Sequence, residues 1–193
     1  GIKTAGLNLL GIKSFASMFD SCTSLKSVNL SGMDVSEATQ ASSMFKGCTN
    51  LETVNLSGWK AQNATTFEGI FSGCSNLSSV NLDGFEAPSV STSSSMFSNC
   101  AKLTAIDLTG FAFNKDKATA VSMFNGCESL AAIYVAAGTD WTWLSAAKSK
   151  NMFNGCTALK GGNVLATPTV FDSSAIDSSR AIVDGFDPDG KGA

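Results

Sequence analysis

Histidine is absent from this chain of 193 residues, and charged residues make up only 15% of it. Without histidine, the most common general base and the usual activator of a nucleophilic side chain are missing. The low charge also leaves no concentrated basic face of the kind that neutralises phosphates in nucleic-acid binding. We therefore expect a protein that is not an enzyme and that has no nucleic-acid partner.

Long apolar runs are also missing, because no stretch of about 18 apolar residues occurs and no membrane-spanning helix is expected. Residues 1–160 contain eleven lysines and eleven acidic residues, whereas residues 161–193 contain five aspartates and two basic residues. The whole net charge of −3 therefore lies in the last segment. No signal peptide is recognisable, and the chain opens directly on Gly1.

The most prominent feature of the sequence is a phrase that occurs six times. It reads "MFKGCTNLETVNLSGW" from residue 44 and "MFSNCAKLTAIDLTGF" from residue 96. Every copy holds one cysteine at the same place, and the interval from one cysteine to the next is constant at first and lengthens slightly in the last two copies. This interval lies within the range of about 20 to 29 residues that is typical of leucine-rich repeats. The six cysteines are Cys22, Cys48, Cys74, Cys100, Cys127 and Cys156.

Apolar and polar residues alternate in the "LETVNL" part of each copy, which predicts a strand with Val54 and Leu56 buried. The "MFKGC" part predicts one short helical or 3₁₀ return turn that ends at Gly47 with a positive φ. A single unit cannot bury its apolar side alone, so the copies should stack with one parallel strand per coil. We predict an α/β leucine-rich-repeat solenoid, with "LNLLGI" at residues 7–12 as a first half unit.

The phrases quoted above resemble the repeat of bacterial surface proteins in the BspA-like leucine-rich-repeat family. The resemblance covers residues 7 to about 165, although the return segments are irregular here. It predicts a solenoid of about six and a half coils over residues 1–160 and a capping segment over residues 161–193. The apolar residues expected in that cap are Val170, Phe171, Ile176, Ile182 and Val183.

Six cysteines allow free thiols, disulfides or a metal site. Equivalent cysteines in adjacent coils would have parallel Cβ vectors about 5 Å apart, beyond the usual disulfide range of about 3.5–4.5 Å. Zinc sites need ligands at a close local spacing such as C-x₂-C, which is absent here. We expect free, buried thiols, no metal and no cofactor.

The outward positions of the strands form the most informative surface. Our candidate ligand-binding residues are Asn55, Asn81, Asp83, Asp107 and Tyr134. An alternative is a structural ladder, in which stacked amides hydrogen-bond one another along the sheet. Another is a glycosidase-like carboxylate pair formed by Asp83 and Asp107, although an open face makes solvated surface acids the simpler interpretation.

The BspA-like resemblance implies a protein that is secreted or held at the surface of a bacterium. It also implies adhesion to a host or neighbouring-cell partner, without supplying binding residues that match position by position. We predict a non-enzymatic module that recognises an extracellular protein or glycan through its concave strand face. The alternative is a structural spacer with no ligand of its own in a larger surface protein.

Overall fold

Short β-strands supply all the regular structure in the part of the chain that the computed structural model describes, residues 2–3, 11–136, 144–145 and 147–159. No helix occurs within these residues. The predicted cap at residues 161–193 lies outside them. The strands are β1 (Ile2–Lys3), β2 (Ser27–Asn29), β3 (Thr53–Asn55), β4 (Ser79–Asn81), β5 (Ala87–Val90), β6 (Ala105–Asp107), β7 (Phe111–Phe113) and β8 (Ala132–Tyr134).

Equivalent strands of successive repeat units pair in parallel. The strands β1 to β4 form one sheet in chain order, with Val28 opposite Val54 and Val54 opposite Val80. The strand β6 pairs with β8, and β5 pairs with β7. The predicted parallel, repeat-like arrangement is therefore confirmed in these sheets. Ile2 of β1 pairs with Val28. The predicted first half unit at residues 7–12 lies largely outside the described residues.

The return segments are series of turns, so the predicted helical or 3₁₀ return and the α/β class are wrong. Two residues of each return have positive φ, as in Ser43 at 56° and Gly47 at 68°. Their left-handed backbone stops a helix from propagating. The N–H groups of Phe45 and Gly47 instead donate to Ile70 and Ser72 of the next unit, both at 2.8 Å. The N–H groups of Lys46 and Cys48 donate within the same unit, to Ser43 and Phe45, both at 3.1 Å. Bonds to the next unit thus alternate along the return with turn bonds inside one unit.

Stacked aromatic rings fill the core behind the return turns. The rings of Phe45 and Phe71 are parallel within 1°, with centroids 5.5 Å apart. The same arrangement continues through Phe97, Phe124 and Phe153 at 5.4 to 5.7 Å. These rings are buried, as predicted for the phenylalanine of each "MF" pair.

The cysteines form a second column, and all six are free, as predicted. Each of the five buried thiols donates a hydrogen bond to the backbone carbonyl of a phenylalanine one unit earlier. The bonds from Cys74 to Phe45 and from Cys127 to Phe97 are both 3.0 Å long. The cysteine therefore joins neighbouring units as well as filling space. Cys22 of the first return is the exception, because it is exposed.

Burial raises the pKa of the Cys74 and Cys156 thiols from 9.0 to about 12. It also raises the pKa of Cys48, Cys100 and Cys127. A raised pKa means that the folded state holds the proton more tightly than the unfolded state does. The stability that results is fully present below about pH 9 and is lost as the pH rises through the folded-state values.

We predict that the free energy of unfolding falls between pH 7.5 and pH 10, by about 1.4 kcal/mol for each of Cys74 and Cys156, with a further loss from the other three buried thiols. Urea denaturation at the two pH values measures the change. The Cys74→Ala variant should lose less stability between them, because one titrating thiol is gone. A free energy of unfolding that is constant from pH 7.5 to pH 10 would contradict the prediction.

A thiol reagent should modify Cys22 rapidly in the folded protein and leave the other five cysteines protected, because only Cys22 is exposed. All six thiols should react in the denatured, unreduced protein. The control variant Cys22→Ala should show no rapid reaction while folded. Rapid modification of a second thiol, or fewer than six after denaturation, would refute the buried column.

Candidate functional site

The outward residues of the paired strands form a polar surface, which we call the strand face. Among its residues in β2, β3, β4, β6 and β8 and in the turns that follow these strands, the charged side chains are Asp83 and Asp107, and both are exposed. Tyr134 is 36% exposed, a high value for so large a side chain. The strand face comprises Ser27, Asn29, Ser31, Thr53, Asn55, Ser57, Ser79, Asn81, Asp83, Ala105, Asp107, Thr109, Ala132 and Tyr134.

The side-chain oxygen atoms of the asparagine column are used locally. Asn55 Oδ1 accepts a hydrogen bond from the backbone N–H of Ser57 at 2.9 Å, and Asn81 Oδ1 accepts one from Asp83 at 2.8 Å. Asp107 Oδ1 does the same for the N–H of Thr109 at 2.8 Å. These oxygen atoms close turns and do not bond the next amide of the column. Aspartate replaces asparagine without loss at Asp107, because the turn needs only an acceptor.

The sheet is interrupted between β4 and β6. At the intact junction before it, the N–H of Leu56 donates to the carbonyl of Asn81 at 2.9 Å. The equivalent bond from Leu82 to Asp107 is missing, and no hydrogen bond joins residues 77–84 to residues 103–109, all of which the structure describes. We call this interruption the sheet break. At the sheet break, the main-chain N–H and carbonyl groups of β4 and β6 that face each other are not hydrogen-bonded to one another.

A shift in register accompanies the sheet break. The main chain of Lys60 pairs in parallel with that of Glu86, one full repeat later. In β5 and β7, by contrast, Ala87 is aligned with Phe111, and this separation in sequence is shorter than a full repeat. The Phe85 carbonyl lies where a side chain on Gly110 would begin. The chain can take this shifted path because Gly110 has no side chain.

The return turns on both sides of the sheet break remain bonded. Phe71 donates its N–H to Met96 at 2.9 Å, and Phe97 donates to Met123 at 2.8 Å. The units therefore stay joined through their returns while their strands separate. The sheet break is an opening on the strand side alone.

The sheet break partly uncovers apolar side chains. Val80 and Leu82 are half-buried, whereas the equivalent Val54 and Leu56 of the preceding unit are 2% and 1% exposed. On the other side, Ile106 of β6 is buried at 2%. The loss of strand pairing thus exposes an apolar strip on the β4 side of the opening.

Four of the five predicted site residues lie around the sheet break. Asn81 ends β4 and Asp83 follows it, while Asp107 ends β6 on the other side. Tyr134 is the register partner of Asp107 in β8. Asn55 lies farther away, one strand before β4.

The sheet break was not predicted, because no pattern in the sequence indicates it directly. The interval from Cys100 to Cys127 is the first that is longer than the earlier ones, and this was the available signal for an irregular unit.

Within the described ranges, no group of three or more acidic or cysteine side chains is arranged to hold a metal ion. No described segment is a helix able to cross a membrane.

Comparison with known families gives one match. Residues 13–136 match the family described as "Mycoplasma protein of unknown function, DUF285". The predicted membership of the BspA-like leucine-rich-repeat family is therefore wrong as stated, because this match is to a different family. No match was found among curated proteins.

The Gly110→Ala variant should be destabilised by about 3 kcal/mol or more, because its Cβ would meet a backbone carbonyl that cannot rotate away. Gly58→Ala is the matched control, with a positive φ of 76° but open space around the added Cβ. It should lose about 1–2 kcal/mol from backbone strain alone. Urea denaturation compares the two variants, and equal losses would contradict the close approach at Phe85.

Proposed function

We propose that this chain, which belongs to the family described as "Mycoplasma protein of unknown function, DUF285", is a non-enzymatic binding module. Its repeat units would form an open leucine-rich-repeat solenoid, with the strand face as the recognition surface. The partner would be an extracellular protein or glycan. The protein would lie at the surface of a bacterium or outside the cell, where adhesion is the role that fits such a surface.

The sheet break is the observation that carries this proposal. Uniform polar columns offer a partner little to distinguish one place from the next. At the break, half-buried Val80 and Leu82 lie beside the exposed carboxylates of Asp83 and Asp107. Apolar area next to a few fixed polar groups is typical of recognition sites. Exposed tyrosine is also enriched among the residues that dominate binding energy, which supports including Tyr134.

A structural spacer is the second candidate function. The turn-closing hydrogen bonds of Asn55, Asn81 and Asp107 favour it, because they give the polar column a purely structural role. A spacer should bind nothing through this face. The two functions therefore differ in a result that a binding experiment gives directly.

The test uses immobilised extracellular-matrix proteins and a glycan array at physiological salt concentration. We predict saturable binding to at least one member, weakened tenfold or more in the double variant Asn81→Ala with Tyr134→Ala. Such a loss corresponds to about 1.4 kcal/mol of binding free energy. The expected cause is the removal of an exposed aromatic contact and a polar contact beside the sheet break.

The control is the double variant Glu37→Ala with Lys115→Ala, which removes two exposed side chains outside the strand face. It should bind as well as the unmodified protein. Circular dichroism and urea denaturation must show that both double variants are folded. If nothing on either panel binds the folded protein, the spacer is favoured; if the face variant binds normally, the strand face is not the recognition surface.

A further inference from the structure

We propose that the sheet break between β4 and β6 is a docking site for an extended peptide segment that carries a basic side chain. This inference rests on the proposed function and names the partner of the same surface. The observations behind it are the unpaired main-chain groups, the uncovered apolar strip and the sign of the local charge.

The unpaired main-chain groups at the sheet break favour a peptide over a glycan as the ligand. At the intact junctions, Leu56 donates to Asn81 and Leu108 donates to Tyr134, at 2.9 and 2.8 Å. The N–H of Leu82 has no such acceptor among the described residues, although it occupies the equivalent position. An extended peptide presents alternating carbonyl and N–H groups at the spacing that a strand edge requires. A glycan cannot reproduce that spacing.

A second pair of main-chain groups, the Thr104 N–H and the Ser78 carbonyl, is not hydrogen-bonded at the other end of the same strands. The N–H of Ser78 donates to Glu52 at 2.9 Å, and that of Ala131 donates to Thr104 at 2.8 Å. The bond that would complete this series, from Thr104 to Ser78, is missing within the described part of the chain. The edge available to a peptide therefore spans β4 and one residue on each side of it, from Ser78 to Leu82.

Side chains at the sheet break define what the peptide should contain. Val80 and Leu82 offer an apolar strip, which favours aliphatic residues at alternate positions of the partner. The carboxylates of Asp83 and Asp107 are the charges that the strand face carries from β2 to β8, and both lie at this opening. A lysine or arginine between those aliphatic residues complements them.

Tyr134 adds a second reason to expect a cationic side chain. It is opposite Asp107 in the parallel pairing of β6 and β8, so their backbones are about 5 Å apart. A bound cation at this place could lie against the face of the Tyr134 ring and be attracted at the same time by the Asp107 carboxylate. The break is thus negatively charged, partly apolar and lined by strand edges.

Docking requires the strands to move apart on one side only. The returns remain bonded across the same units, from Phe71 to Met96 and from Phe97 to Met123. These bonds hold the stack together while a strand enters beside β4. No strand hydrogen bond must be broken for this movement, because none joins β4 to β6 among the described residues.

The test uses three synthetic heptapeptides with blocked ends. The first is Thr-Val-Lys-Val-Lys-Val-Thr, the second has glutamate in place of lysine, and the third is the lysine peptide N-methylated at alternate residues. Titration into ¹⁵N-labelled protein is followed by amide chemical shifts. We predict saturable shifts centred on Leu82 and Asp107 with the lysine peptide, and at least tenfold weaker binding with each of the other two.

Charge is tested by the double variant Asp83→Asn with Asp107→Asn. Asparagine keeps the side-chain oxygen that closes the turn at Asp107, as Asn81 shows in the preceding unit. We expect about five- to tenfold weaker binding of the lysine peptide. The matched control, Asp34→Asn with Asp116→Asn, removes the same charge from exposed positions elsewhere and should bind normally.

Equal binding of the lysine and N-methylated peptides would overturn the inference, because main-chain pairing would then not contribute. Shifts centred away from the sheet break, or no saturable shift at all, would overturn it too. If extracellular-matrix proteins or glycans bind through Tyr134 while the lysine peptide does not bind, the peptide inference fails and the proposed function stands. If the peptide binds but both panels are blank, the proposed class of partner is wrong and the docking site stands.

Discussion

Main-chain hydrogen bonds between successive repeat units are the interaction on which the rest of the structure depends. In the returns, N–H groups such as those of Phe45 and Gly47 donate to carbonyls one unit later. This alignment sets one unit directly over the next, so that phenylalanine rings stack and each buried thiol reaches a phenylalanine carbonyl. The aromatic and cysteine columns therefore follow from the main-chain register. They continue through the longer last units, because the returns there stay aligned.

Much of this could be predicted from the sequence because the burial pattern repeats. Alternation around Val54 and Leu56 correctly indicated a strand with one buried face, and the copied "MF" and cysteine positions indicated the two core columns. The return turns could not be predicted in the same way. Nothing in "SSMFKGC" shows that Ser43 adopts a positive φ, a conformation that serine seldom takes. Its cost is offset by bonds to a neighbouring unit, which a local pattern does not contain.

The candidate site shows the same division between local and long-range information. Exposed positions such as Asp107 and Tyr134 followed directly from alternation along the strand. The separation of β4 from β6 is accompanied by the shifted register of β5 and β7 and by Gly110 lying against the Phe85 carbonyl. These contacts join residues that are about one repeat apart in sequence. The sequence therefore identified exposed residues of the site, but it did not identify the sheet break around which four of them lie.

Amide hydrogen exchange at Leu82, compared with Leu56 and Leu108, tests the sheet break most directly. These three leucines occupy equivalent positions in successive units, but only Leu56 and Leu108 donate to a neighbouring strand. We predict that the Leu82 amide exchanges at least a hundredfold faster than the other two, because opening it requires no hydrogen bond to break. Protection of Leu82 equal to that of Leu56 would show that β4 and β6 are paired in solution. The account of this surface as a docking site would then be wrong.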